Sequence, residues 1–133
     1  MNQRNSTILV VDDNQDIRDL ITLILEDEGF TVIAADSGKS ALALMHEKRS
    51  DLVLLDIMMP EMSGYEVLRK IRADKESSIN QTPVLMITAK SQVADIDEAI
   101  EAGATSYIVK PFIADSMVDK VISFLPKESA ERV

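Results

Sequence analysis

Short unbroken apolar runs alternate along this chain with longer stretches in which apolar residues recur every three or four positions. The runs fall at residues 7–12, 31–35, 52–56, 83–88 and 106–110. Runs rich in Val, Ile and Leu, with no polar alternation, suit strands covered on both faces of a parallel sheet. Between them the spacing turns helical. Ile17, Leu20, Ile21, Ile24 and Leu25 mark one helix face, and Gly29 stands where a helix ends. A second helix from Ser37 turns Ala41, Leu42, Leu44 and Met45 inward, and a third carries Val67, Leu68 and Ile71. Val93, Ile96, Ala99 and Ile100 give a fourth, closed by Gly103; Met117, Val118, Val121, Ile122 and Leu125 give a fifth, stopped by Pro126. Pro60 disfavours helix at Met59, so residues 57–63 are not helical throughout. Residues 74–81 read as a polar loop, and Pro83 opens the fourth strand at a position that tolerates proline.

The order is therefore (βα)5, an α/β fold. Right-handed crossovers predict a doubly wound parallel sheet of the flavodoxin-like kind, strand order 2-1-3-4-5, with helices on both faces. Four of the runs end in a reactive polar residue: Asp12-Asp13, Asp56, Thr88 and Lys110. In open sheets of this type ligands sit beyond the carboxyl ends of the strands. A carboxylate there is often only the N-cap of the next helix. Asp36-Ser37 fits that plain role, and Asp13 or Asn14 would serve the first helix in the same way. Asp56 does not, because a loop with Pro60 and Gly64 separates it from its helix. Strands one and three are neighbours in this order, so Asp12, Asp13 and Asp56 should meet. Three such carboxylates either take up a proton or bind a cation. An all-oxygen set favours Mg²⁺, with Mn²⁺ as the alternative. Lys110 adds a positive charge and Thr88 a hydroxyl, a combination suited to cradling a phosphoryl group in transfer.

Composition narrows the classes. At 133 residues, 46% apolar and 28% charged, one soluble globular domain is expected. The absence of cysteine excludes disulfides, thiol catalysis and thiolate metal sites, and fits a reducing compartment. The polar start and the lack of a membrane-length apolar run show no export signal or span, so a cytoplasmic location is expected. A net charge of −9 argues against direct nucleic-acid binding by this chain. Gly38-Lys39-Ser40 mimics the end of a phosphate-binding P-loop, but Ile33 stands where that motif needs glycine. His46 reads as a surface residue of the second helix.

In combination these residues are recognisable. Val10-Val11-Asp12-Asp13, the run from Asp56 through Pro60 to Gly64, Thr88-Ala89, and Gly103-Ala104 leading to Tyr107-Ile108-Val109-Lys110-Pro111-Phe112 occur in order and spacing. The chain resembles the receiver domain of bacterial two-component response regulators over residues 7–125. The resemblance implies that Asp56 accepts a phosphoryl group from the phosphohistidine of a sensor kinase or phosphotransfer protein. It implies Mg²⁺ held by Asp13, Asp56 and the Met58 carbonyl, with Asp12 acting through water. Lys110 would contact the phosphoryl oxygens, Thr88 would hydrogen-bond one of them, and the Lys110–Pro111 bond would be cis. Tyr107 matches the family's switch aromatic; its plain alternative is a half-buried strand residue. Phosphorylation would reshape the face formed by the fourth helix, fifth strand and fifth helix, which a downstream protein, an output domain or a second copy would read. Gln15, Arg18 and Thr22 lie where the family reads its kinase.

In related receivers two flanking positions tune the lifetime of the phosphoryl group, and the resemblance places Met58 and Lys90 there. Met58 offers no hydrogen bond to an attacking water, and Lys90 either reaches the phosphate or lies in solvent, so a fairly long-lived phosphorylated state is expected. A hydrolytic aspartyl phosphatase usually carries a second acid two positions after its nucleophile. Here that position is Met58, so a turnover enzyme is not expected. A third class, an interaction module that is never phosphorylated, is opposed by the complete set of Asp12, Asp13, Asp56, Thr88 and Lys110. The receiver is expected over residues 1–126. Residues 127–133 are expected as a frayed tail or the start of a linker, in a stand-alone regulator or one cut from a longer protein.

Overall fold

The computed structural model describes residues 6–89 and 96–126. Five strands, β1 (Thr7–Val11), β2 (Thr31–Ala35), β3 (Leu52–Asp56), β4 (Val84–Ala89) and β5 (Ser106–Lys110), form one parallel sheet in the order β2-β1-β3-β4-β5. The predicted order thus holds. The helices are α1 (Gln15–Asp27), α2 (Gly38–Glu47), α3 (Gly64–Arg72), α4 (Ser77–Asn80), α5 (Ile96–Glu101) and α6 (Ala114–Phe124).

Successive strand residues point to opposite faces, and the core divides accordingly. Ile8, Val10, Leu52, Leu54, Leu85 and Ile87 pack against Ile21 and Leu25 of α1 and Met117, Val118 and Val121 of α6. Leu9, Val11, Val53, Leu55, Val84 and Met86 pack against α2, α3 and Ala99 of α5. Helix starts follow local chemistry. Asn14, rather than Asp13, caps α1 by accepting from the Ile17 amide. Ser37 caps α2, and Ser63 and Glu66 cap α3 reciprocally. Gly29 and Gly103 follow α1 and α5 with φ of 96° and 110°, the left-handed values that favour glycine.

The structure departs from the sequence reading in three places. The polar loop expected at 74–81 contains the single turn α4, which drops Ile79 into the core beside α3. Leu20 and Ile100, expected on inward faces, are 45% and 47% exposed. The apolar stripes of α1 and α5 are wider than the sheet can cover, so their margins face out. Val93, Lys90 and residues 127–133 lie outside the described residues.

At the amino end of the sheet one side chain ties several connections together. Arg72, at the end of α3, donates from Nε to the Gly103 carbonyl at 2.8 Å and from Nη1 to those of Asn80 and Thr82 at 3.0 and 2.7 Å. Its burial lowers the guanidinium pKa from its usual value. A Cβ on Gly103 would stand 2.9 Å from the Arg72 Cγ, so glycine there serves both the backbone turn and this close approach.

Candidate functional site

The parallel register carries β1 and β3 to a common edge. Val11 pairs with Leu55, so Asp12 follows as the neighbour of Asp56. Carboxylate oxygens of Asp12, Asp13 and Asp56 lie within 4.8 Å of one another. Asp12 and Asp56 are 0% and 5% exposed, whereas Asp13 faces outward. The Lys110 ammonium stands 3.5 Å from Asp12 Oδ2 and 3.7 Å from Asp56 Oδ1, delivered from the end of β5 just before a cis Lys110–Pro111 peptide. These residues, with Asn14, Ile17, Met58 and Ala89, line an open cavity of about 350 Å³.

Burial, chiefly, and the neighbouring charges of Asp12 and then Asp13 push the Asp56 carboxyl from 3.8 up to about 6. Lys110 and the Met58 amide pull it the other way. That amide donates to Asp56 Oδ1 at 3.4 Å. Asp12 Oδ1 accepts from the Asn14 amide at 2.9 Å, but its buried Oδ2 accepts no hydrogen bond. An unfilled anionic acceptor beside two further carboxylates fits an oxygen-loving divalent cation. The expected metal-binding cluster is therefore present as geometry.

The other expected residues fall at graded distances from this cavity. Thr88 is 1% exposed at the end of β4 beside Ala89, whose carbonyl its hydroxyl meets at 3.3 Å. Met58 leaves its side chain 60% exposed at the rim. Tyr107 is not brought to the cavity: it pairs with Met86 in the sheet and packs half-buried on the α2–α3–α5 side. His46 is exposed, as expected, and meets Asp74 at 2.8 Å on another part of the surface.

Several contributors escaped the sequence reading. Arg18 donates to the Asp12 carbonyl at 2.8 Å, bracing the acidic loop from α1. The Gly64 amide donates to the Ile57 carbonyl at 2.9 Å, and a Cβ there would lie 2.3 Å from the Asp56 carbonyl oxygen. Only glycine lets α3 begin so close to the acceptor strand. Glu61 takes φ of 67° while the Met62 amide bonds the Pro60 carbonyl at 2.7 Å, a tight and strained three-residue turn. The Asp56–Gly64 spacing was the available signal for the glycine; Arg18 was expected only as an exposed kinase-facing residue, whereas it is half-buried, and nothing marked the turn at Glu61.

The fold and this edge define a class, and comparison with known proteins agrees. A family model, response regulator receiver domain, matches residues 8–122, and the chain belongs to that family. Among similar proteins, the transcriptional regulatory protein ResD of Bacillus subtilis is 43% identical over 130 residues, covering 97% of this chain and 52% of its own. The DNA-binding response regulator MtrA of Mycobacterium tuberculosis is 38% identical over 131 residues, 98% of this chain and 55% of its own. The chain thus spans about half the length of these relatives. Of solved structures, chemotaxis protein CheY4 of Vibrio cholerae aligns with a TM-score of 0.84 at 32% identity, over 91% of this chain and 99% of that one. Membership of the family implies a part in two-component signalling. No helix among the described residues is long and apolar enough to cross a membrane.

Proposed function

We propose that this chain is a phosphorylation-controlled switch of a two-component phosphorelay, with Asp56 as the acceptor. The observation that carries the reading is the Asp12–Asp13–Asp56 cluster facing the Lys110 ammonium across one open cavity. An Asp56 oxygen attacks the phosphorus of a phosphohistidine on a sensor kinase or phosphotransfer protein. The new O–P bond forms as the P–N bond breaks, and the leaving imidazole keeps the electron pair. Asp13, Asp56 and the Met58 carbonyl, with Asp12 through water, would hold Mg²⁺ or Mn²⁺, which when bound neutralises charge on the transferring phosphoryl oxygens. Lys110 supplies the fixed positive charge on the other side. Thr88 turns from the Ala89 carbonyl to a phosphoryl oxygen, a charge-assisted bond stronger than the one it gives up.

The acyl phosphate adds charge and acceptors that draw in the end of β4. Tyr107 follows, and the α5–β5–α6 face changes shape, shifting an existing two-state equilibrium. That face would meet a downstream protein, an output domain or a second copy of the chain. With Met58 where a hydrolase keeps its second acid, the protein phosphorylates and slowly dephosphorylates itself without turning over a substrate. The net charge of −9 suits protein partners better than direct contact with nucleic acid by this chain.

Intact-protein mass after incubation with Mg²⁺ and acetyl phosphate tests this. One phosphoryl group on the parent and none on Asp56→Asn is expected. Metal binding without an adduct from either acetyl phosphate or a phosphorylated histidine donor would overturn the proposal.

A further inference from the structure

Lys120, on α6, makes two contacts with one residue. Its ammonium donates to the main-chain carbonyl of Tyr107 and sits 4.4 Å from the centroid of the Tyr107 ring. β5 is the edge strand of the sheet, paired on one side only, with β4. The ring's other surroundings are the apolar cluster containing Met86 and Ala99. One cation therefore fixes both the backbone and the ring of a half-buried tyrosine, through a charge-assisted hydrogen bond and a cation–π contact. Lys120 also lines an open cleft of about 490 Å³ with Ile108, Phe112, Ile113 and Met117. Released from the ring, the ammonium has space to move into without disturbing the core.

We infer that Lys120 is a positioning residue that latches Tyr107 in its resting orientation and so sets how readily the receiver switches. This rests on the switch role proposed for Tyr107. An inward move of the ring gives up the cation–π contact, so the latch opposes activation. Removing the ammonium raises the share of the active orientation by about threefold, the low end of what such a contact is worth. Arginine keeps both a cation and a donor, and so preserves the latch.

The full chain labelled with 3-fluorotyrosine tests it, the Tyr107 resonance being assigned by loss of the other in Tyr65→Phe. Without any phosphodonor, Lys120→Met is expected to move that resonance toward the position it takes in the parent with Mg²⁺ and beryllium trifluoride. Lys120→Arg should leave it at the parent position. Acetyl phosphate should label Lys120→Met about threefold faster than the parent, and Lys120→Arg at the parent rate. A Tyr107 resonance in Lys120→Met that coincides with the parent's, or moves away from the activated position, overturns the latch. A parent that takes up no phosphoryl group from any donor overturns the receiver mechanism instead, and the resonance reports on the latch independently of it.

Discussion

The two ends of the sheet are built on opposite principles. At the amino end, charge is matched: Arg72 is met by three carbonyls, and Asp51 accepts from the Thr7 amide at 2.8 Å with Arg49 beside it at 3.5 Å. At the carboxyl end, three acids crowd together, Asp12 Oδ2 lacks a hydrogen bond, and the Asp56 carboxyl is pushed up to about 6. The first arrangement stabilises the fold. The second costs stability and keeps a group poised to react, as functional sites commonly do. Shared hydrophobic strands run between them; the amino end also buries the Ser6 and Ser50 hydroxyls without a hydrogen bond, so the contrast lies in how charge is handled.

The largest expected effect comes from pushing the two structures at the carboxyl end apart. Gly64→Ala places a methyl group against the Asp56 carbonyl, a backbone atom that cannot swing aside. A loss of about 3 kcal/mol is expected in urea unfolding. A loss below about 1 kcal/mol would show that α3 is not pinned there.

At the amino end, Arg72→Met strands three carbonyl acceptors. It should cost about 2 kcal/mol by the same assay, while Mg²⁺ affinity measured by calorimetry stays at the parent value.

The carboxyl end should respond in the reverse sense when its charge is removed. Asp56 keeps its proton in the folded state up to about pH 6 but releases it near 3.8 when unfolded. Between those values the folded state binds more protons, so stability falls as pH rises through the window. In chelator at pH 7 or above, Asp56→Asn is expected to be more stable than the parent, by on the order of 2 kcal/mol. Below about pH 4 the two should unfold at the same denaturant concentration.

The smallest effect concerns the acceptor loop. Glu61→Gly removes a side chain from a left-handed position and should gain about 0.5 kcal/mol, the relief of strain being partly offset by glycine's entropy. An equal or lower melting temperature would mean the loop is not strained.

These two ends were not equally legible in the sequence. The carboxyl edge was, because strand-terminal residues sit side by side once the strand order is known. The apolar runs gave the strands, and Asp12, Asp13, Asp56 and Lys110 followed from their positions. The amino end was opaque. Arg72 binds backbone carbonyls, which carry no residue identity, and Gly103 lies 31 positions away. The turn α4 has one apolar residue, Ile79, too few to set a period. Leu20 and Ile100 were misplaced because spacing gives a helix face but not how much of it the sheet covers. Lys120 escaped for the reason Arg72 did: its partner is a main-chain carbonyl and a ring on another element.

The claim that the crowding of like charge is confined to one end is tested most directly by the melting temperature with Mg²⁺ minus that in chelator, for the parent, Asp13→Asn and Arg72→Met. Binding to the folded state alone raises the melting temperature, and distant sites should act additively. The parent should gain several degrees from Mg²⁺. Asp13→Asn should start higher than the parent in chelator and gain almost nothing. Arg72→Met should start lower and gain as much as the parent. An Asp13→Asn protein that melts with the parent in chelator and keeps the full Mg²⁺ gain would contradict the account.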